Sequence, residues 1–296
     1  MRSRIRSVPF PRSAVVVWVA VVGPAFAMCD PSDLRALPRG QESDLQERFV
    51  VVGGATVRAV CTEGETRVVL LHDEGASSDS WRSVLERLNG RVGACAYDRR
   101  GSGQSDSAPA DRGWYELLDE LRLVHESLGA RRPYVLVGHG LGGLYARLFT
   151  SDRPGDVGGL VLVEPAHEDM LRRSRTGMPA EEWRSWRERR TAPNADGVTE
   201  VLVAERARRG RLPQVPVTVL TAGRRQDGDG WDGRFLNEAA RRVHASILRG
   251  LRQGRHIPAT RSGHWIHQDE PELVVEAVLR IVRAASAVER QSRRGK

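Results

Sequence analysis

The stretch YVLVGHGLGGLYARLF, Tyr134 to Phe149, reads as a buried strand, a tight glycine turn and a helix. That layout lifts the side chain at the turn clear of the sheet edge, where it can attack a carbonyl carbon. The residue at the turn is Gly140, which has no side chain to offer. Two other glycine-turn chemistries are excluded: GHGLGG lacks the Lys-Ser/Thr ending of a phosphate loop and the downstream acid of a dinucleotide site. No His/Cys cluster has zinc spacing, so neither a metal nor an organic cofactor is expected.

Such a turn needs a sheet to stand on, and the hydrophobic pattern supplies one. From residue 44 onward short apolar runs alternate with longer amphipathic ones. RFVVV and ATVRAV look like an antiparallel pair. TRVVLLH, RVGACAYD, YVLVGH, GGLVLVEP, VPVTVLTAG and GRHIPAT each look like a buried strand, with helical stretches between them. Strands alternating with helices predict an α/β fold with a mostly parallel, eight-stranded sheet covered on both faces. One interval, residues 166–214, has no strand candidate. Its polar helical stretches MPAEEWRSWRERR and DGVTEVLVAERARRG predict a helical cap over the strand ends, with Trp183 and Trp186 either lining its underside or anchoring it to the body.

With 296 residues and 40% hydrophobic content, the chain can bury a full core as one large domain, residues 44–288. The formal charge of +8 comes almost wholly from arginine, the single lysine being Lys296. The arginines are interleaved with Asp and Glu along helix faces, which marks solvated surface; a small-molecule ligand is expected rather than nucleic acid. Residues 289–296 are expected to form a disordered tail.

The first 27 residues have a basic start at Arg2, Arg4 and Arg6, an apolar run from Ala14 to Val22, and small residues at Ala25 and Ala27. That order is expected of a secretory signal peptide cleaved after Ala27, followed by a flexible segment over 28–43; lipid anchoring at Cys29 and retention of the segment as an anchor are the alternatives. The apolar run is about half the ~20 residues a membrane span needs. In an oxidising compartment Cys61 and Cys95, on strands expected to be neighbours, would pair as a disulfide; otherwise they are two small buried hydrophobes.

CAYDRRGSGQSD, YVLVGHGLGGLYARLF, GGLVLVEPAHED and SGHWIHQDEPELVVEAV together resemble the α/β-hydrolase superfamily, specifically its secreted bacterial branch with a short helical cap, over residues 48–288. The resemblance implies esterase- or lipase-like acyl transfer, in which a serine on the turn attacks, a histidine takes its proton and an acid orients the histidine. His264, in a Ser-Gly-His turn before the final helix, matches the base, with His267 and His139 as structural or surface residues. The acid is Asp227, after the next-to-last expected strand, or Glu164, ending LVLVE; Asp229 is a further candidate. Backbone N–H groups at Leu141 and Asp73 would form the oxyanion hole, although Asp73 and Glu74 place two acids where a glycine is common, and carboxylates there would repel a developing oxyanion. The arginine-glycine turn of YDRRGSGQSD is expected to be scaffolding.

Gly140 leaves three readings. The chain has lost acyl-enzyme chemistry and binds a small hydrophobic ligand; or it hydrolyses with a water activated by His264; or it has a purely structural or interaction role outside the cell. On the first reading, Gly140→Ser is expected to restore ester hydrolysis.

Overall fold

A computed structural model describes residues 45–110, 112–224 and 233–294. The expected signal peptide, Cys29, the 28–43 segment, Asp227 and Asp229 lie outside the described residues. Eight strands, β1 (Gln46–Val52), β2 (Ala55–Cys61), β3 (Thr66–Leu71), β4 (Gly93–Tyr97), β5 (Tyr134–His139), β6 (Val157–Val163), β7 (Val217–Ala222) and β8 (Gly254–Ala259), form one sheet in the order β1-β2-β4-β3-β5-β6-β7-β8. β2 runs antiparallel to both β1 and β4, and the remaining pairs are parallel. This is the α/β fold expected from the pattern.

The strands are nearly uniformly apolar because both sheet faces are covered. In β3, Val69 and Leu71 face one core layer and Val68 and Leu70 the other, as period-2 alternation requires. The first layer holds α2 (Trp114–Ser127), α3 (Gly140–Asp152) and α6 (Glu200–Arg209). The second holds α1 (Arg82–Leu88) and α9 (Pro271–Arg294). Cys61 and Cys95 face each other across β2 and β4 and are joined as a disulfide.

Between β6 and β7 the chain forms α4 (Glu168–Gly177), α5 (Ala180–Thr191) and α6. The sequence predicts two helices there; α4 is the unforeseen one. Its side chains are too polar to show an apolar stripe, and the Arg147–Glu168 ion pair, with bonds of 2.8 and 2.9 Å, ties its start to α3. At the other end, α9 runs to Arg294 through the region expected to be a disordered tail. Glu289 pairs with Arg67 and the helix-forming run AASAV carries α9 past residue 288. α7 (Gly233–Ile247) and the one-turn α8 (Ile266–Asp269) complete the element order.

Candidate active site

The turn from β5 into α3 is built as the sequence predicts. His139 is the last extended residue, and Gly140 begins the helix with φ +51, a conformation that favours glycine. Two residues on, a Cβ at Gly142 would lie 2.4 Å from the His72 carbonyl oxygen, so the helix start is pressed against the end of β3. That contact brings the loop after β3, with His72 and Asp73, directly to the turn.

Asp73 uses this proximity in a way the sequence did not suggest. An ideal Cβ built on Gly140 would lie 2.0 to 2.2 Å from the three carboxylate atoms of Asp73. The Asp73 carboxylate therefore occupies the space of the absent residue-140 side chain. Its Oδ1 accepts the Leu141 N–H at 2.6 Å, and its Oδ2 accepts the His264 Nε2–H at 2.9 Å. The expected repulsion between Asp73 and an oxyanion is replaced by an ion pair with His264. Leu141 does present its N–H to the site, but to this carboxylate, and the contribution of Asp73 is its side chain.

The two groups hold each other charged. Burial pushes the Asp73 carboxyl up, but the His264 hydrogen bond, the neighbouring imidazoles and the Leu141 N–H outweigh it and hold the group well below the usual carboxylate range. Burial likewise pushes His264 down, and the Asp73 hydrogen bond and charge, aided by Glu164, reverse this and raise it. Both side chains remain partly open, at 18% exposure for Asp73 and 31% for His264, so a ligand can reach them.

Glu164 follows β6 with φ 43, the one non-glycine residue at positive φ among the described residues, and such a conformation stores strain of about 1–3 kcal/mol. Its Oε2 accepts the Ala222 N–H at 2.6 Å. The carboxylate acts on His264 through its charge, with no hydrogen bond between them, and burial raises its pKa. His139 donates from Nε2 to the His264 carbonyl at 3.0 Å, and burial lowers its pKa to about 4. His267 is fully buried against Trp81, with ring centroids 4.4 Å apart. Both have the structural placement expected of them. Asp73, His139 and His264 bring one donor atom each within 4.8 Å of one another, but both Nε2 atoms are engaged in these hydrogen bonds and we assign the group no ion.

In front of the pair lies a cavity of about 470 Å³. The cap supplies Met170, Trp186, Arg190, Glu200 and Val201 to its wall. Trp186 lines the cavity, the first of its two expected placements, whereas Trp183 stacks on Trp186 at 5.6 Å and does not line it.

Residues 66–278 match the family model for the alpha/beta hydrolase fold. The chain belongs to that family. It is 26% identical over 240 residues to the uncharacterised protein YqjL of Bacillus subtilis, covering 80% of this chain and 92% of the relative. Epoxide hydrolase 4 of Mus musculus is 28% identical over 170 residues, covering 56% of this chain and 45% of the relative. Among solved structures, a putative lipase of Acinetobacter baumannii superposes with a TM-score of 0.60 at 17% identity, over 83% of this chain and 93% of that one. Within this fold Gly140 at the turn and the Asp73 carboxylate packed against it form a linked pair. Residue 140 has no side chain and residue 73 is an acid, and the fold brings the two loops that carry them together.

Proposed function

We propose that the protein is a hydrolase that breaks a C–O bond of a small ester or epoxide, with the Asp73 carboxylate acting where a serine hydroxyl would act. The observation that carries this reading is the position of Asp73: its carboxylate fills the space of a residue-140 side chain while bonded to both Leu141 N–H and His264. Relatives named as a methyl ester esterase, a monoacylglycerol lipase and an epoxide hydrolase support this range of substrates, and both substrate types are carbon electrophiles.

In the first step Asp73 Oδ2 attacks the electrophilic carbon, the C–O bond breaks, and the leaving oxygen takes the Nε2 proton of His264. Bonded to carbon, Asp73 is neutral. His264 has then lost both its proton and the partner charge that raised its pKa, and is ready to serve as a base. In the second step His264 deprotonates a water, which attacks Asp73 Cγ while the Leu141 N–H holds Oδ1 as charge develops there. The bond to the product breaks, the product leaves with a proton, and the Asp73–His264 ion pair is restored.

The test is turnover of a panel of short esters and small epoxides by the protein and by Asp73→Asn and His264→Ala. Turnover lost in both variants supports the reading. Turnover that survives Asp73→Asn and depends on His264 supports a water activated by His264 directly. A second reading, a ligand-binding protein without catalysis, is favoured by one observation: the Leu141 N–H is already occupied, so a substrate carbonyl finds no free donor there. Absence of turnover across the panel would favour it. Export rests on the composition of residues 1–27 and is tested by N-terminal sequencing of the exported protein; a start at Met1 or at a lipidated Cys29 contradicts cleavage after Ala27.

A further inference from the structure

The loop after β4, YDRRGSGQSD, has no role in the chemistry above, yet its Arg99 is fully buried. A buried guanidinium needs a partner for its charge and acceptors for its N–H groups. Its partner comes from the cap. Arg99 Nε donates to Asp196 Oδ1 at 2.9 Å, and Asp196, in the connection between α5 and α6, is 2% exposed. The other carboxylate oxygen of Asp196 accepts the Tyr145 hydroxyl of α3 at 3.0 Å, and Asn194 donates to that same hydroxyl at 3.2 Å. Two close backbone approaches seat the connection on the loop: a Cβ at Gly101 would lie 1.8 Å from the Ala195 carbonyl oxygen, and one at Gly197 would lie 2.2 Å from that of Pro109.

The remaining donors of Arg99 reach the segment that carries Asp73. Nη1 donates to the His72 carbonyl at 2.6 Å and Nη2 to the Asp73 carbonyl at 3.4 Å. His72 completes the clamp. Its Nε2 accepts the Arg99 backbone N–H at 3.2 Å and its Nδ1–H donates to the Asp73 carbonyl at 2.6 Å, which fixes one neutral tautomer. Burial, with Arg99 beside it, lowers the His72 pKa to about 3, so the ring stays neutral and keeps both bonds.

We infer that Arg99 and Asp196 are positioning residues that join the cap connection to the Asp73 backbone, so that the carboxylate enters the empty residue-140 position only when the cap connection is seated. The inference rests on the Asp73–His264 reading for its catalytic meaning. Its geometric content is separate and is tested without turnover.

The readout is the titration of the His264 imidazole, followed by NMR in the full chain. The charged or titratable groups facing His264 are Asp73, Glu164, His139 and His267; Asp73 is the one that hydrogen-bonds its ring. Asp73→Asn sets the reference, a midpoint lowered toward the ordinary histidine value of about 6.5. Asp196→Asn is expected to move the midpoint most of the way to that reference. Tyr145→Phe, which leaves the ion pair in place, should move it in the same direction by less. Where a substrate is turned over, kcat falls by about a hundredfold in Asp196→Asn, the effect of misplacing a reacting group by about 1 Å. Asp196→Glu recovers part of it. A His264 midpoint as high as in the parent, in variants that are merely less stable to heat, overturns the inference. If Asp196→Asn does not fold, an unchanged midpoint in Tyr145→Phe overturns it.

Discussion

Introducing serine at residue 140 gives the sharpest test of who occupies the nucleophile position. Expected from sequence alone to restore ester hydrolysis, Gly140→Ser instead meets Asp73: the new Cβ would lie 2.0 Å from Asp73 Cγ, closer than any real contact. The carboxylate must leave, breaking the 2.6 Å bond from Leu141 and the 2.9 Å bond from His264. Each charge-assisted bond contributes about 1.5–3 kcal/mol, and a side chain at φ +51 adds strain of about 1–3 kcal/mol. The combined effect, about 4–9 kcal/mol, is large against a typical total stability of about 5–15 kcal/mol. Gly140→Ser alone should therefore lose about 10 °C or more in Tm and show no acyl-enzyme burst with p-nitrophenyl acetate. Combining it with Asp73→Gly removes the clash, frees the Leu141 N–H for an oxyanion and turns His264 toward the new hydroxyl. The double variant should keep only the backbone strain and gain a burst that is abolished by His264→Ala. A single Gly140→Ser variant with parental Tm and a full burst would refute the placement of Asp73.

Four further outcomes follow from the same structure. The rate kcat/KM should fall as pH rises through the raised pKa of His264, because the first step uses His264 protonated beside ionised Asp73; a serine triad needs its histidine neutral, so a rate that rises through that range contradicts the proposed step. The pair's contribution to stability should be complete between the unfolded-state values of about 3.9 for Asp and about 6.5 for His, fading above as His264 deprotonates and below as Asp73 is protonated, which urea unfolding across pH measures. Glu164→Gln should raise stability at pH 7, since Gln still accepts the Ala222 N–H without burying a charge, and should lower the His264 midpoint; a loss of stability would place the carboxylate's charge in a structural role. Replacing Cys61 and Cys95 by serine should remove about 3–4 kcal/mol, the chain-entropy value for a bridge spanning 34 residues, and equal urea midpoints for parent and variant would refute that estimate.

Much of the fold was legible in the chain because hydrophobic period and glycine placement act locally. The eight strands, the turn at Gly140, the helix behind it and the strandless stretch after β6 each follow from neighbouring residues. The place of His264 between the last strand and the final helices was legible for the same reason, being a matter of order along the chain. The pairing of Cys61 with Cys95 followed once strand order was inferred, because antiparallel neighbours β2 and β4 put them opposite each other. α4 was missed because its residues, EDMLRRSRTG, have almost no apolar side chains to set a period; an ion pair to α3 holds its start instead.

What the sequence determined alone was that residue 140 offers no nucleophile. What fills the space beside Gly140 was decided only in three dimensions. Asp73, in the loop after β3, and Gly140, at the start of α3, are 67 residues apart, and Asp73 and His264 are 191 residues apart. Read along the chain, an acid beside an oxyanion hole is a source of repulsion. Folded, the same acid meets an empty volume, a backbone N–H and an imidazole, and becomes a bonded partner of both. Local rules carry no information about which side chain enters a space that another has left, because that depends on how β3, β5 and the turn after β8 converge. Arg99 and Asp196, 97 residues apart, follow the same logic: each is an ordinary loop charge in the sequence, and only burial against the cap turns the two into the clamp behind Asp73.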